Sequence, residues 1–75
     1  MDYDNKLDCV GLYCPLPIVK TKLEMENMSQ GEVLRVTADD LGAKEDFPAW
    51  CSETGNELVG TEEIEGEFVF YIKKK

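Results

Sequence analysis

A cysteine followed by two alternating prolines, Cys14-Pro15-Leu16-Pro17, is the stretch of this sequence best suited to chemistry. Proline is tolerated in the first turn of a helix, where its missing N–H would have had no partner. The pair therefore predicts a helix beginning at Pro15, with Pro15 at its first position, Pro17 at its third and Cys14 at the N-cap. A thiolate there meets unpaired N–H groups and the positive end of the helix dipole. Its pKa is expected to fall below the ~8.5 of a free thiol. The prolines remove two donors, so the N–H groups of Leu16 and Ile18 are those expected to face the sulfur.

The sequence has no histidine, so Cys14 cannot work in a Cys-His pair. It also lacks a Cys-x-x-Cys partner, which excludes a thioredoxin-type dithiol. What remains is chemistry in which one activated sulfur both accepts and donates. Persulfide relay fits, since it needs a thiolate, a donor and an acceptor. The bland alternative is that Cys14 is a buried small hydrophobe and the prolines only start a helix.

Positioning this cysteine falls to a short series of elements. Lys6 to Val10 alternates and reads as a strand, broken by Gly11. The residues before it are expected to fray. Pro15 to about Met28 reads as a helix, closed by Ser29-Gln30-Gly31. Val33 to Ala38 is an alternating β-branched strand. Asp39-Asp40-Leu41-Gly42 is a turn, and either aspartate could cap the second helix. That helix reads from Ala43 to Thr54, and Pro48 should kink or divide it. Gly55 fits the left-handed residue that closes it. Strands Leu58 to Ile64 and Phe68 to Lys73, joined by a Glu65-Gly66 turn, make a hairpin. The order β-α-β-α-β-β implies an α+β, two-layer α/β sandwich: a mixed four-stranded sheet with two helices on one face. Leu7, Leu34, Val36, Phe68, Phe70 and Ile72 should face the core. Arg35, Thr37, Val69 and Tyr71 fall on the opposite sheet face, in solvent or in a weak contact.

Composition sets the outer limits. The chain of 75 residues is enough for one domain, spanning 1–75. A chain this short buries only about 60% of its unfolded surface, so chemistry should sit on the surface with a partner completing the site. The net charge is -8, from 16 acidic and 8 basic residues. That field disfavours direct nucleic-acid contact and anionic membranes and favours basic protein surfaces. No apolar run reaches the ~18 residues of a membrane span. The acidic, polar N-terminus does not read as a signal peptide, which points to the cytoplasm. There the three cysteines are expected as free thiols.

The sequence resembles the TusA/SirA-like sulfur-carrier proteins. The likeness begins at Leu7-Asp8 and runs through Gly11-Leu12 to Cys14-Pro15-Leu16-Pro17. It continues through Gly31-Glu32, the Asp39-Asp40 turn, Pro48 and Cys51. It implies a β-α-β-α-β-β sandwich in which Cys14 carries a persulfide, supported by Pro15, Leu16 and Pro17. The implied donors are a cysteine desulfurase or a rhodanese-like protein. The implied acceptors are DsrE-like or other proteins serving tRNA thiolation, cofactor assembly or sulfur metabolism. Such a carrier is an accessory to sulfurtransferases, cycles covalently without a cofactor, and is expected to be a monomer when free.

Cys9 departs from the family pattern. It should share a strand face with Leu7, toward the core, as an inert thiol. The sharper alternative makes it a resolving thiol that attacks the Cys14 persulfide. Cys51 is likewise expected in the core, with a place near Cys14 as the alternative. The spacings of Cys9, Cys14 and Cys51 match no metal pattern. Two other functions therefore stand beside the carrier: a binding or regulatory module of the same fold, and a thiol redox protein pairing Cys14 with Cys9 or Cys51.

The first helix carries two apolar stripes. Ile18, Met25 and Met28, with Thr21 between, make one; Leu16, Val19 and Leu23 make another on the opposite side. The first is assigned to the core because it reaches further. Leu16, Val19 and Leu23 are then expected to be exposed beside Cys14 as a partner-docking patch.

Overall fold

The computed structural model describes residues 2–75. They run through β1 (Asn5–Asp8), α1 (Leu16–Glu26), β2 (Val33–Ala38), α2 (Ala43–Thr54), β3 (Glu57–Ile64) and β4 (Glu67–Lys73). The strands form one sheet in the order β1-β2-β4-β3. β1 lies parallel to β2, and β4 is antiparallel to both β2 and β3. Burial alternates strictly along β2, because successive side chains of a strand point to opposite faces. Leu34 and Val36 meet Phe70 and Ile72 on one face, under Met25, Ala43, Phe47 and Cys51 from the helical side. This is the expected α+β sandwich with both helices on that face. The Phe47 and Phe70 rings stack at 4.5 Å between centroids. The hairpin turn is Glu65-Gly66, both with positive φ, the geometry that matches the right-handed twist of paired strands.

Several expectations need correction. β1 ends at Asp8 rather than Val10, because the Asp8 carboxylate accepts the Val10 N–H (2.9 Å) and turns the chain. Tyr3 and Asp4 are docked rather than frayed. Asp4 donates its N–H to the Val33 carbonyl (2.9 Å) and accepts the Val33 N–H on its carboxylate (2.8 Å). Pro48 does not divide the second helix: α2 is a single element with Pro48 inside it. Phe47 and Cys51 flank the proline and are both buried. Their burial, ~1.5–3 kcal/mol for a large apolar side chain, holds the helix on the sheet against a proline cost of ~3 kcal/mol.

The sheet face away from the helices is less open than expected. Val69 and Tyr71 are 1% and 4% exposed. Tyr71 donates its hydroxyl to Glu62 (2.8 Å) and accepts a bond from the Arg35 guanidinium (3.3 Å). Tyr3 packs beside it at 6.4 Å between ring centroids.

α1 runs from Leu16 to Glu26, so Met28 lies just past it. Thr21, Met25 and Met28 are buried and Ile18 is partly buried against the core. The basic tail closes this helix: Lys74 Nζ donates to the Met25 and Met28 carbonyls, both at 2.7 Å. Carbonyls at a helix C-terminus lack intrahelical donors and favour a cation. No helix among the described residues is long and apolar enough to cross a membrane.

Candidate functional site

β1 and β2 are parallel neighbours, so their C-terminal ends lie at one end of the sheet and the loops leaving them meet. The first of these loops, 9–15, carries Cys14; the second carries Asp39 and Asp40. Neither aspartate caps α2, whose N-cap is Gly42 with no side-chain hydrogen bond. Asp39 instead accepts the Gly11 N–H (3.0 Å), and Asp40 Oδ2 accepts the Cys14 N–H (3.0 Å). Gly11 has φ 87, a left-handed conformation that glycine adopts without strain. The loop that carries Cys14 is thus held at two points by carboxylates of the neighbouring loop.

Cys14 is not the N-cap. That position belongs to Pro15, Pro17 comes second in the helix, and Cys14 stands one residue ahead. The Leu16 N–H is already donated to the Tyr13 carbonyl (2.8 Å), so it does not face the sulfur. The expected drop in the Cys14 pKa is overturned with it. The thiol is pushed above its ordinary value, first by the Asp46 carboxylate, which favours its protonated form. Desolvation and the negative charges of Asp46 and Asp40 add to this.

All three cysteines are free thiols; Cys14 is exposed, and Cys9 and Cys51 are buried. Cys9 sits beneath the Cys-Pro-Leu-Pro turn, its Sγ 4.0 Å from the Pro17 carbonyl. Burial raises the Cys9 thiol, opposed by Lys20 and assisted by Asp8. Burial alone pushes Cys51 up to about 11. Pro17 is buried, while Pro15 is exposed.

Leu16, Val19 and Leu23 are exposed at 49%, 44% and 55%. Two further large apolar residues that sequence reasoning missed are exposed on the loops that carry Cys14 and Asp40: Tyr13 at 74% and Leu41 at 76%. Asp40 and Asp46 were missed as thiol neighbours. Their only sequence signal was the parallel βαβ order, which brings the two loops together. Three concavities, of about 480, 390 and 390 Å³, indent the surface, and none is lined by Cys14. The arrangement offers one accessible nucleophile on an apolar, acid-edged surface.

Comparison with known proteins gives consistent matches. The family Sulfurtransferase TusA matches residues 5–74. A "Sulfur carrier protein TusA" of Allochromatium vinosum is 49% identical over 73 residues, covering 97% of this chain and 96% of that protein. The "Putative sulfur carrier protein YrkF" of Bacillus subtilis is 48% identical over 69 residues, covering 92% of this chain but 37% of that longer protein. Among solved structures, a SirA-like protein from Desulfitobacterium hafniense shares the fold with a TM-score of 0.82. The match covers 93% of this chain and 96% of that one at 21% identity.

Proposed function

Because this chain belongs to the sulfurtransferase TusA family, we propose that it is a sulfur carrier whose Cys14 takes up and hands on a sulfane sulfur. In loading, the Cys14 thiolate attacks the outer sulfur of a donor persulfide. A new S–S bond forms on Cys14, the donor S–S bond breaks, and the donor leaves as a thiolate. Delivery is the same exchange with an acceptor thiolate as attacker. Neither step consumes an oxidant or a cofactor. The observation that carries the reading is that Cys14 is the exposed thiol of the three. The buried state of Cys9 and Cys51 favours a carrier over an internal dithiol.

The donor in this reading is a cysteine desulfurase or a rhodanese-like protein, and the acceptor a DsrE-like or other protein. Leu16, Val19 and Leu23, with Tyr13 and Leu41, form the docking strip. The net charge of -8 favours partners with basic surfaces. The test is mass spectrometry after incubation with a cysteine desulfurase and cysteine. Wild type should gain one sulfur atom on Cys14, and Cys14→Ser should stay folded and gain none. Sulfur appearing on Cys9 or Cys51, or an internal disulfide under mild oxidation, would refute the assignment.

A further inference from the structure

The segment around Cys14 has few ties of its own to the rest of the molecule. Pro15 and Pro17 have no N–H to donate, and the Leu16 N–H turns back to the Tyr13 carbonyl (2.8 Å). The Leu12 N–H also stays inside the loop, on the Cys9 carbonyl (3.2 Å). Among the described residues, one hydrogen bond joins residues 12–15 to a part of the chain beyond this loop and α1. It is the Cys14 N–H donated to Asp40 Oδ2 (3.0 Å), across 26 positions of sequence. The donor is the backbone of the nucleophile itself, so the bond fixes the point from which the thiol projects.

A second observation concerns the room around that carboxylate. Gly42 has φ -61 and ψ -24, ordinary helical values open to any residue, so its backbone does not call for glycine. A Cβ there would stand 3.3 Å from Asp40 Oδ2, the oxygen that takes the Cys14 N–H. Glycine at this position leaves that oxygen its space. Asp40 and Gly42 thus both serve one backbone N–H of the neighbouring loop.

We propose, resting on the carrier reading, that Asp40 is a positioning residue for sulfur transfer: by holding the Cys14 N–H it sets the direction in which the sulfur meets a partner, and Gly42 gives it room to do so. The role belongs to an oxygen in one place and not to its charge. Exchange needs the attacking sulfur aligned with the donor S–S bond at about 3–3.5 Å, and a misplacement of about 1 Å can cost about 100-fold. A Cys14 held from its backbone enters the encounter already oriented, which leaves less to be ordered in the complex. Docking through Leu16, Val19 and Leu23 does not involve this bond, so its loss falls on kcat and not on KM.

The test sets Asp40→Ala against Asp40→Asn, whose amide oxygen has the reach of the carboxylate without its charge. Hydrogen exchange of the Cys14 amide is followed in the free protein by NMR. Sulfur uptake from a cysteine desulfurase supplied with cysteine is measured at steady state. Asp40→Ala should speed exchange of that amide about tenfold and lower kcat about tenfold, with the KM for the carrier unchanged. Asp40→Asn should bring both readouts back to within about twofold of wild type. Gly42→Ala keeps the carboxylate but crowds it, so both readouts should move toward those of Asp40→Ala; this variant carries the test if Asp40→Ala does not fold. A merely structural role would lower the concentration of folded carrier and so appear in KM. Wild-type kcat in Asp40→Ala or in Gly42→Ala would overturn the proposal. So would a loss carried by KM, or an Asp40→Asn as slow as Asp40→Ala. The amide readout does not depend on sulfur chemistry, so variants that exchange as described in a protein whose wild type takes up no sulfur would refute the carrier reading alone.

Discussion

Replacing Leu23 by aspartate should leave the protein folded and cripple its exchange with partners. Leu23 is 55% exposed, Leu16 49% and Val19 44%, so about half of each side chain already lies in water. Full burial of such a residue stabilises by ~1.5–3 kcal/mol. Covering the remaining half is therefore worth about 1 kcal/mol per residue, or about 3 kcal/mol for the three together. A carboxylate set among them removes most of that gain and adds its own desolvation cost. At 1.4 kcal/mol per tenfold, Leu23→Asp should lower kcat/KM for sulfur uptake from a cysteine desulfurase by about 10- to 100-fold. The same half-exposure limits the folding penalty to about 1 kcal/mol. Met25, two residues further along α1 but only 4% exposed, is the control: Met25→Asp buries a charge in the core and should unfold the protein. Sulfur uptake is followed by mass spectrometry and folding by thermal melts. Wild-type uptake by Leu23→Asp would remove the docking role. Unfolding of Leu23→Asp to the degree of Met25→Asp would show that the strip belongs to the core.

Lys74→Met keeps the aliphatic stem but removes the bonds to the Met25 and Met28 carbonyls. It should cost about 1–2 kcal/mol and lower Tm by about 4–16 °C; an unchanged melting temperature would refute the capping role. The pH dependence of stability has a definite sign at the alkaline end. Burial raises the Cys51 thiol from 9.0 to about 11, so the folded state holds that proton more tightly than the unfolded chain does. This contribution is complete below about pH 9 and is lost as pH rises through about 11. Cys51→Ala should flatten the fall in Tm across this window, and an identical profile would count against burial as the cause. Cys9 shifts in the same direction, so part of the fall should persist in Cys51→Ala.

What could be read from the sequence was whatever a local pattern determines. β2 and α2 match their expected limits because strict alternation defines Val33–Ala38, and because Gly55 terminates a helix in the left-handed conformation it was expected to adopt. The exposed stripe of α1 came from spacing alone. The failures share a different cause. Asp39 and Asp40 were read as caps for the helix next to them, but loop N–H groups 28 and 26 residues away claim their carboxylates. The thiol's pKa was assigned from its own helix. Asp46, on the other helix, reverses it, and that proximity exists only once β1 and β2 pair. Tyr71 is expected in solvent or in a weak contact, whereas Tyr3 and Arg35 pack against it from distant parts of the chain. Cys14 missed the N-cap by one residue, a displacement within the usual ambiguity of helix ends.

The Cys14 thiol is exposed and lines none of the three concavities described above. On the carrier reading, a sulfur atom held on this exposed thiol lies open to solvent, within reach of stray small thiols as well as of the intended recipient. On that reading, fidelity comes from timing, with handover outrunning diffusion of competitors, and so from the local abundance of partners able to cover the end of the sheet.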